Sequence, residues 1–230
     1  MAHLAHYREA HPLPFVITHW INLICMVLLI LSGFLIHYPF ISGLMGIARG
    51  VHIFCGFVLV INMLCRVIMA FFVESAPTGG TRQTVKDYKT WLPQADNKHQ
   101  GLQWIKYYLF LKKDHPLAAK LGVPQKISYI CIPILILIMF YTGLCLWSPT
   151  ADWGICMAFT NLVNGAMSMR ILHYFLMYVF IIFICLHVYL ANIEGTEPTK
   201  LMFFRKEHGG YTYDPDKHVI IGEDKLEEEH

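Results

Sequence analysis

Arg170-Ile-Leu-His173 and Leu186-His187-Val-Tyr189 stand within one continuous apolar run, and their two histidines are fourteen residues apart. In an α-helix fourteen residues rise roughly 21 Å and return to within about 40° of the starting face. One helix would then offer two imidazoles to the same interior at two depths. That separation is a large part of the roughly 30 Å hydrocarbon thickness of a bilayer, so the stretch reads as a membrane span with one histidine toward each side.

The rest of the chain agrees with a membrane reading. Of its 230 residues, 56% are hydrophobic, too many for an ordinary soluble domain. Four runs meet the length of about 20 apolar residues that a spanning helix needs. They are Phe15–Tyr38, Val51–Val73, Ile127–Trp147 and Ile171–Ile193. The first is too long, and lacks the flanks, for a cleaved leader. Arg82, Lys86, Lys89, Lys98, Lys106, Lys112, Lys113, Lys120 and Lys126 lie between the second and third runs, and Lys200, Arg205 and Lys206 follow the fourth. Ser148 to Met169, between the third and fourth, has no Lys or Arg. Because positive loops stay inside, both termini and the long middle loop are expected in the cytoplasm. The expected fold is an all-α, four-helix membrane bundle, divided into residues 1–195 and a cytoplasmic tail, 196–230.

Within the middle loop, Leu102 to Lys113 is aromatic, apolar and lysine-bearing, which predicts a helix lying in the membrane interface. Seven cysteines occur singly, at Cys25, Cys55, Cys65, Cys131, Cys145, Cys156 and Cys185. No CxxC or CxxCH is present, so neither an iron–sulfur cluster nor a covalently attached haem is indicated. A weak internal echo runs through the spans: Ser32-Gly33 parallels Thr142-Gly143, and Arg49xxHis52 parallels Arg170xxHis173. Small residues at such points let another helix, or a flat macrocycle, approach the backbone.

Depth decides how the histidines pair. His19 opens a span that begins inside and His187 closes one that ends there; His52 and His173 both open spans that begin outside. A lone intramembrane histidine reads as a hydrogen-bonded core residue. Four at matched depths on three helices read as two bis-histidine sites, His19 with His187 and His52 with His173, and two axial imidazoles are what a b-type haem iron takes. Arg49 and Arg170, one turn outward of the outer pair, are candidates for haem propionates, as is Arg66 inside; snorkelling to the interface is their other reading. His37, at the outer end of the first span, is a competing ligand. The expected cofactors are thus two haem b. A haem-free four-helix transporter or anchor, with histidines relaying protons, is the reading from a different class.

On His19-Trp20-Ile21-Asn22 with Ser32-Gly33, Arg49 and His52 with Gly56 and Arg66, Tyr107-Tyr-Leu-Phe-Leu-Lys-Lys113, Gln125-Lys126, Thr142-Gly143, His173, His187-Val-Tyr189 and Glu194, the chain resembles the b-type cytochrome subunit of membrane-bound nickel–iron hydrogenases. That group lies within the cytochrome b561-like family, with formate dehydrogenase gamma subunits and thiosulfate reductase cytochromes. The resemblance covers about residues 7 to 195. Two positions depart from the hydrogenase pattern: His173-Tyr174 stands where adjacent histidines are common, and Gly122-Val-Pro124 where Asn-Pro is common.

The resemblance implies an integral protein of the prokaryotic cytoplasmic membrane, embedded in the lipid bilayer and without a nucleic-acid partner. It would anchor an extracytoplasmic iron–sulfur subunit and catalytic subunit, and pass their electrons to a quinone, menaquinone or ubiquinone, near the cytoplasmic face. A gamma-type cytochrome of a formate dehydrogenase or thiosulfate reductase is the near alternative, and a free-standing quinone oxidoreductase a further one. Candidate quinone-site residues are Tyr7, His11, Asn22, Tyr107, Tyr108, Tyr189 and Glu194. No nickel or molybdenum site is expected on this chain.

Overall fold

The computed structural model describes residues 3–6, 11–41, 43–77, 84–93, 100–114, 116, 121–193, 196–205, 209–214 and 219–225. Four helices are long and apolar enough to cross a membrane. They are α1 (Leu13–His37) and α2 (Met45–Ala70), then α5 (Val123–Leu146) and α8 (Ala166–Ile193). Each begins two to six residues before its apolar run, because backbone hydrogen bonding continues past the hydrocarbon into polar first turns. Arg49 and Arg170 therefore sit on α2 and α8 themselves rather than ahead of them.

Local chemistry sets the helix boundaries. Pro12 and Pro14 open α1, where a missing N–H costs nothing, and Pro39 follows its end. At the start of α5 the Gln125 side chain accepts from the backbone N–H of Gly122 at 2.8 Å, which is half of a capping box. The helix then runs through Pro133. Before α8 the chain turns on Asn164 and Gly165, with φ of 66° and 100°, a pair of left-handed residues that glycine and asparagine tolerate best.

The chain divides into two compact units. One comprises Thr18–Cys65 and Ile132–Tyr189, and so holds most of the spanning helices. Its core is apolar: Cys25, Cys55, Leu59, Met63, Ile136 and Phe180 are all buried together. The lysine- and arginine-free loop adds two short helices to this unit, α6 (Ser148–Ala151) and α7 (Gly154–Leu162). Cys156 of α7 packs with Cys145 and Met169, and Tyr141 donates to the Ile155 carbonyl at 2.8 Å.

The other unit draws on Met1–Ile17, Arg66–Cys131 and Leu190–His230. These are the three segments whose charge predicts one common side of the membrane. Here the fold is not purely helical. β1 (His3–His6) pairs antiparallel with β4 (Gly209–Asp214), which pairs with β5 (Val219–Lys225), and β2 (Glu74–Pro77) pairs with β3 (Thr84–Lys86). The all-α expectation is corrected to mostly helical: Tyr-Thr-Tyr and Val-Ile-Ile carry strand propensity, and neither periodicity nor length marked them as helix. Helix α3 (Asp87–Thr90) follows β3 directly.

Helix α4 (Gly101–Tyr108) is shorter than the predicted Leu102–Lys113. Phe110, at φ 58°, turns the backbone left-handed, and Leu111 N–H bonds back to the Lys106 carbonyl at 2.8 Å, ending the helix. Trp104 is its buried anchor, packed so closely on Gly122 that a Cβ there would lie 2.9 Å from the indole. Helix α9 (Glu197–Phe204) lies beyond α8, and Arg205 after it donates to the His11 carbonyl at 2.9 Å.

Candidate functional site

Spacing along α8 puts His173, Phe180 and His187 seven residues apart, two turns each, on one face. Phe180 is buried, which fills the interval between the two histidine levels with an aromatic ring. The structure brings His52 and His173 together with ring centroids 6.2 Å apart and planes at 64°. It brings His19 and His187 together at 6.1 Å and 51°. Two metal–imidazole bonds of about 2 Å, with each ring centroid about 1.1 Å behind its nitrogen, give about 6.2 Å. Both gaps therefore have the width of one metal ion held between two imidazoles.

The His52–His173 pair has a matching support behind each ring. Ser32 Oγ lies 2.9 Å from His52 Nδ1, and Thr142 Oγ1 lies 2.8 Å from His173 Nδ1. Each hydroxyl has a single proton and a backbone carbonyl to give it to: Leu28 at 2.6 Å for Ser32, Met139 at 2.8 Å for Thr142. The hydroxyl oxygens thus accept from Nδ1–H. That places the proton of each imidazole on Nδ1 and leaves the Nε2 lone pair for a metal, the tautomer that ligating histidines adopt.

The adjoining glycines supply clearance. A Cβ at Gly33 would stand 3.5 Å from His52 Cε1, and one at Gly143 only 3.3 Å from His173 Cε1. The echo between Ser32-Gly33 and Thr142-Gly143 is therefore one device used twice: a hydroxyl to orient the ring and a missing side chain to seat it.

At the His19–His187 pair the neighbours are aromatic. Phe183 stacks on His187 with centroids 5.8 Å apart, and Trp20 meets His19 edge-on at 5.9 Å. Asn62, a buried α2 residue with no place among the expected site residues, donates to the Thr18 carbonyl and to Asn22 Oδ1, both at 2.7 Å.

The three arginines differ. Arg49 and Arg170 are exposed, one turn ahead of His52 and His173 respectively on their own helices. Arg66 is largely enclosed. Its Nη2 donates to Asp87 Oδ2 at 2.7 Å, and its guanidinium lies 3.6 Å above the centre of the Phe15 ring. Asp87 is fully buried and also accepts from Ser75 and from Trp91 Nε1. Arg66 Nη1 is buried without a hydrogen-bond partner among the described residues.

His37, the competing ligand, has a ring partner of its own. Its ring stacks on Tyr174 at 3.8 Å and 9°, and Tyr174 bonds through its hydroxyl to Tyr178. Of the residues considered for a quinone, Asn22 is engaged by Asn62, Tyr107 and Tyr108 pack on Trp104, Tyr189 is exposed, and Tyr7 and Glu194 lie outside the described residues.

Among the described residues no three His, Cys, Asp or Glu side chains gather as a metal cluster. Two imidazoles fall short of the four ligands of a closed zinc site, but two would suffice to hold an iron whose other ligands a porphyrin supplies. Against known families, the prokaryotic cytochrome b561 family matches residues 10–204. The chain belongs to that family. No curated protein matches it. Membership makes this a membrane cytochrome b, a haem b protein of electron transfer.

Proposed function

We propose that the chain is the dihaem membrane subunit of a larger oxidoreductase, most simply a nickel–iron hydrogenase, which it anchors and connects to the quinone pool. The observation that carries this reading is the two facing imidazole pairs, 6.2 and 6.1 Å between centroids, at two levels of one helix in a chain of this family. His52 and His173 hold the outer group and His19 and His187 the inner one. Haem iron supplies a reversible one-electron couple at each site.

The protein's own part is binding, orientation and charge. Ser32 and Thr142 fix the outer rings, and Gly33 and Gly143 leave room beside them. Arg49 and Arg170 would meet outer propionates, and Arg66 is the basic candidate for an inner one. Residues 1–195 form the redox module and 196–230 a cytoplasmic tail. The charge bias keeps both termini inside, so the outer pair faces the catalytic partner and the inner pair faces the side from which quinone takes its protons. Proton release outside and uptake inside then builds a proton motive force.

Purification of the tagged chain from mild detergent tests the assignment. A co-purifying iron–sulfur subunit and nickel–iron catalytic subunit, with hydrogen-dependent quinone reduction, is the expected outcome. A formate- or thiosulfate-linked partner would move the chain to that complex, and a cytochrome that purifies alone and still reacts with quinone would end the anchoring role.

A further inference from the structure

His52 and His173 are oriented by the Ser32 and Thr142 hydroxyls bonded to their rings, whereas a different contact reaches the turn that carries His19. Asn62 is 7% exposed and sits on α2, ten residues inward of His52. Its amide nitrogen lies 2.7 Å from the Thr18 carbonyl oxygen and 2.7 Å from Asn22 Oδ1. A backbone carbonyl only accepts, so the atom facing Thr18 is the amide nitrogen, and both of its protons are used. Thr18 and Asn22 are one helical turn apart, and His19 lies within that turn.

We propose that Asn62 is a positioning residue for His19: by pinning the Thr18–Asn22 turn to α2 it sets the rotation of α1, and so the plane of the His19 imidazole relative to His187. This rests on the reading that His19 and His187 ligate one haem. The reasoning is geometric. Two hydrogen bonds to one turn resist both sliding and rotation of that turn, where a single bond would leave it free to pivot. Both bonds are buried in a span, where water is scarce and a lost partner is not readily replaced. Thr18 is itself buried, so the bonded carbonyl belongs to the packed side of α1. Neither of Asn62's two hydrogen bonds goes to the imidazole. Its influence passes through the backbone of one turn.

The full chain in detergent, with both haems bound, provides the test. The low-field electron paramagnetic resonance signal of a ferric bis-imidazole haem reports the angle between its two ring planes. His187→Ala first identifies which signal belongs to the inner site. Asn62→Leu, similar in branching shape though larger and without donors, is expected to keep two haems per chain and to shift that inner signal alone. Asn22→Ala, which leaves the Thr18 bond, is expected to shift it less, and the double variant to add less than the sum. Unchanged signals in Asn62→Leu, or equal shifts of both haems, would overturn the proposal. If Asn62→Leu does not accumulate, Asn22→Ala decides: an unmoved inner signal overturns it. A wild-type chain without bis-imidazole signals would instead refute the ligand assignment beneath it.

Discussion

Gly143 lies so close to His173 that a Cβ there would approach the imidazole Cε1 to 3.3 Å, while the equivalent distance from Gly33 to His52 is 3.5 Å. The Gly33 distance is within ordinary van der Waals contact and the Gly143 distance is tighter than it, so the two glycines have unequal tolerance although they occupy matching places. Gly33→Ala is expected to retain both haems with an unaltered spectrum. Gly143→Ala should displace the His173 ring by a few tenths of an ångström and alter the outer haem's spectrum, and Gly143→Val, with two further methyl groups, should lose that haem. Haem content and the reduced-minus-oxidised spectrum of each purified variant check this ordering.

The hydroxyls behind the outer rings give a second expectation. A hydrogen bond from Nδ1–H strengthens the imidazole as a donor to the metal and favours the ferric form, so its removal raises the reduction potential. One neutral hydrogen bond contributes about 1 kcal/mol, and at 59 mV per tenfold for one electron the rise is at most about 40 mV. Ser32→Ala and Thr142→Val should each move the outer haem upward within that range and leave the inner one in place. A redox titration resolves the two, and a fall in potential would contradict the assigned tautomer.

Arg66 and Asp87 predict a loss of stability rather than of spectrum. Asp87 has no exposure and Arg66 retains 16%, so Asp87→Ala strands a mostly enclosed guanidinium. Breaking one side of a buried pair costs about 3–5 kcal/mol. Part of this is recovered at Arg66 through its exposed edge. A lowered thermal midpoint in detergent is expected, with the outer haem's spectrum unaltered in the folded fraction. An unchanged midpoint would mean that the pair contributes nothing net.

Much of the fold was legible because it depends on local runs. Twenty or more apolar residues specify a spanning helix whatever lies elsewhere, and the repeat of Ser32-Gly33 in Thr142-Gly143 is visible by inspection. What that repeat does was not legible, since Ser32 meets His52 across 20 positions and Thr142 meets His173 across 31. Asn62 is silent in the sequence for the same reason: its acceptors lie 44 and 40 residues back, and a lone asparagine in a span has no periodic signature.

The strands joining β1 to β4 bring together the two ends of the chain, a pairing that no window of sequence contains. The end of α4 at Phe110 depends on a left-handed residue that composition does not announce. Asp87 is a comparable case. It stands among lysines and reads as an ordinary surface acid until the fold encloses it against Arg66.

Haem stoichiometry tests the central claim most directly. A pyridine haemochrome assay of the purified chain, with protein quantified independently, should give two haem b per chain. The ratio should fall to one in His173→Ala and to one in His187→Ala, with different absorption bands lost in the two variants. A wild-type ratio of one or none, or the loss of the same band in both variants, would contradict two separate bis-histidine sites.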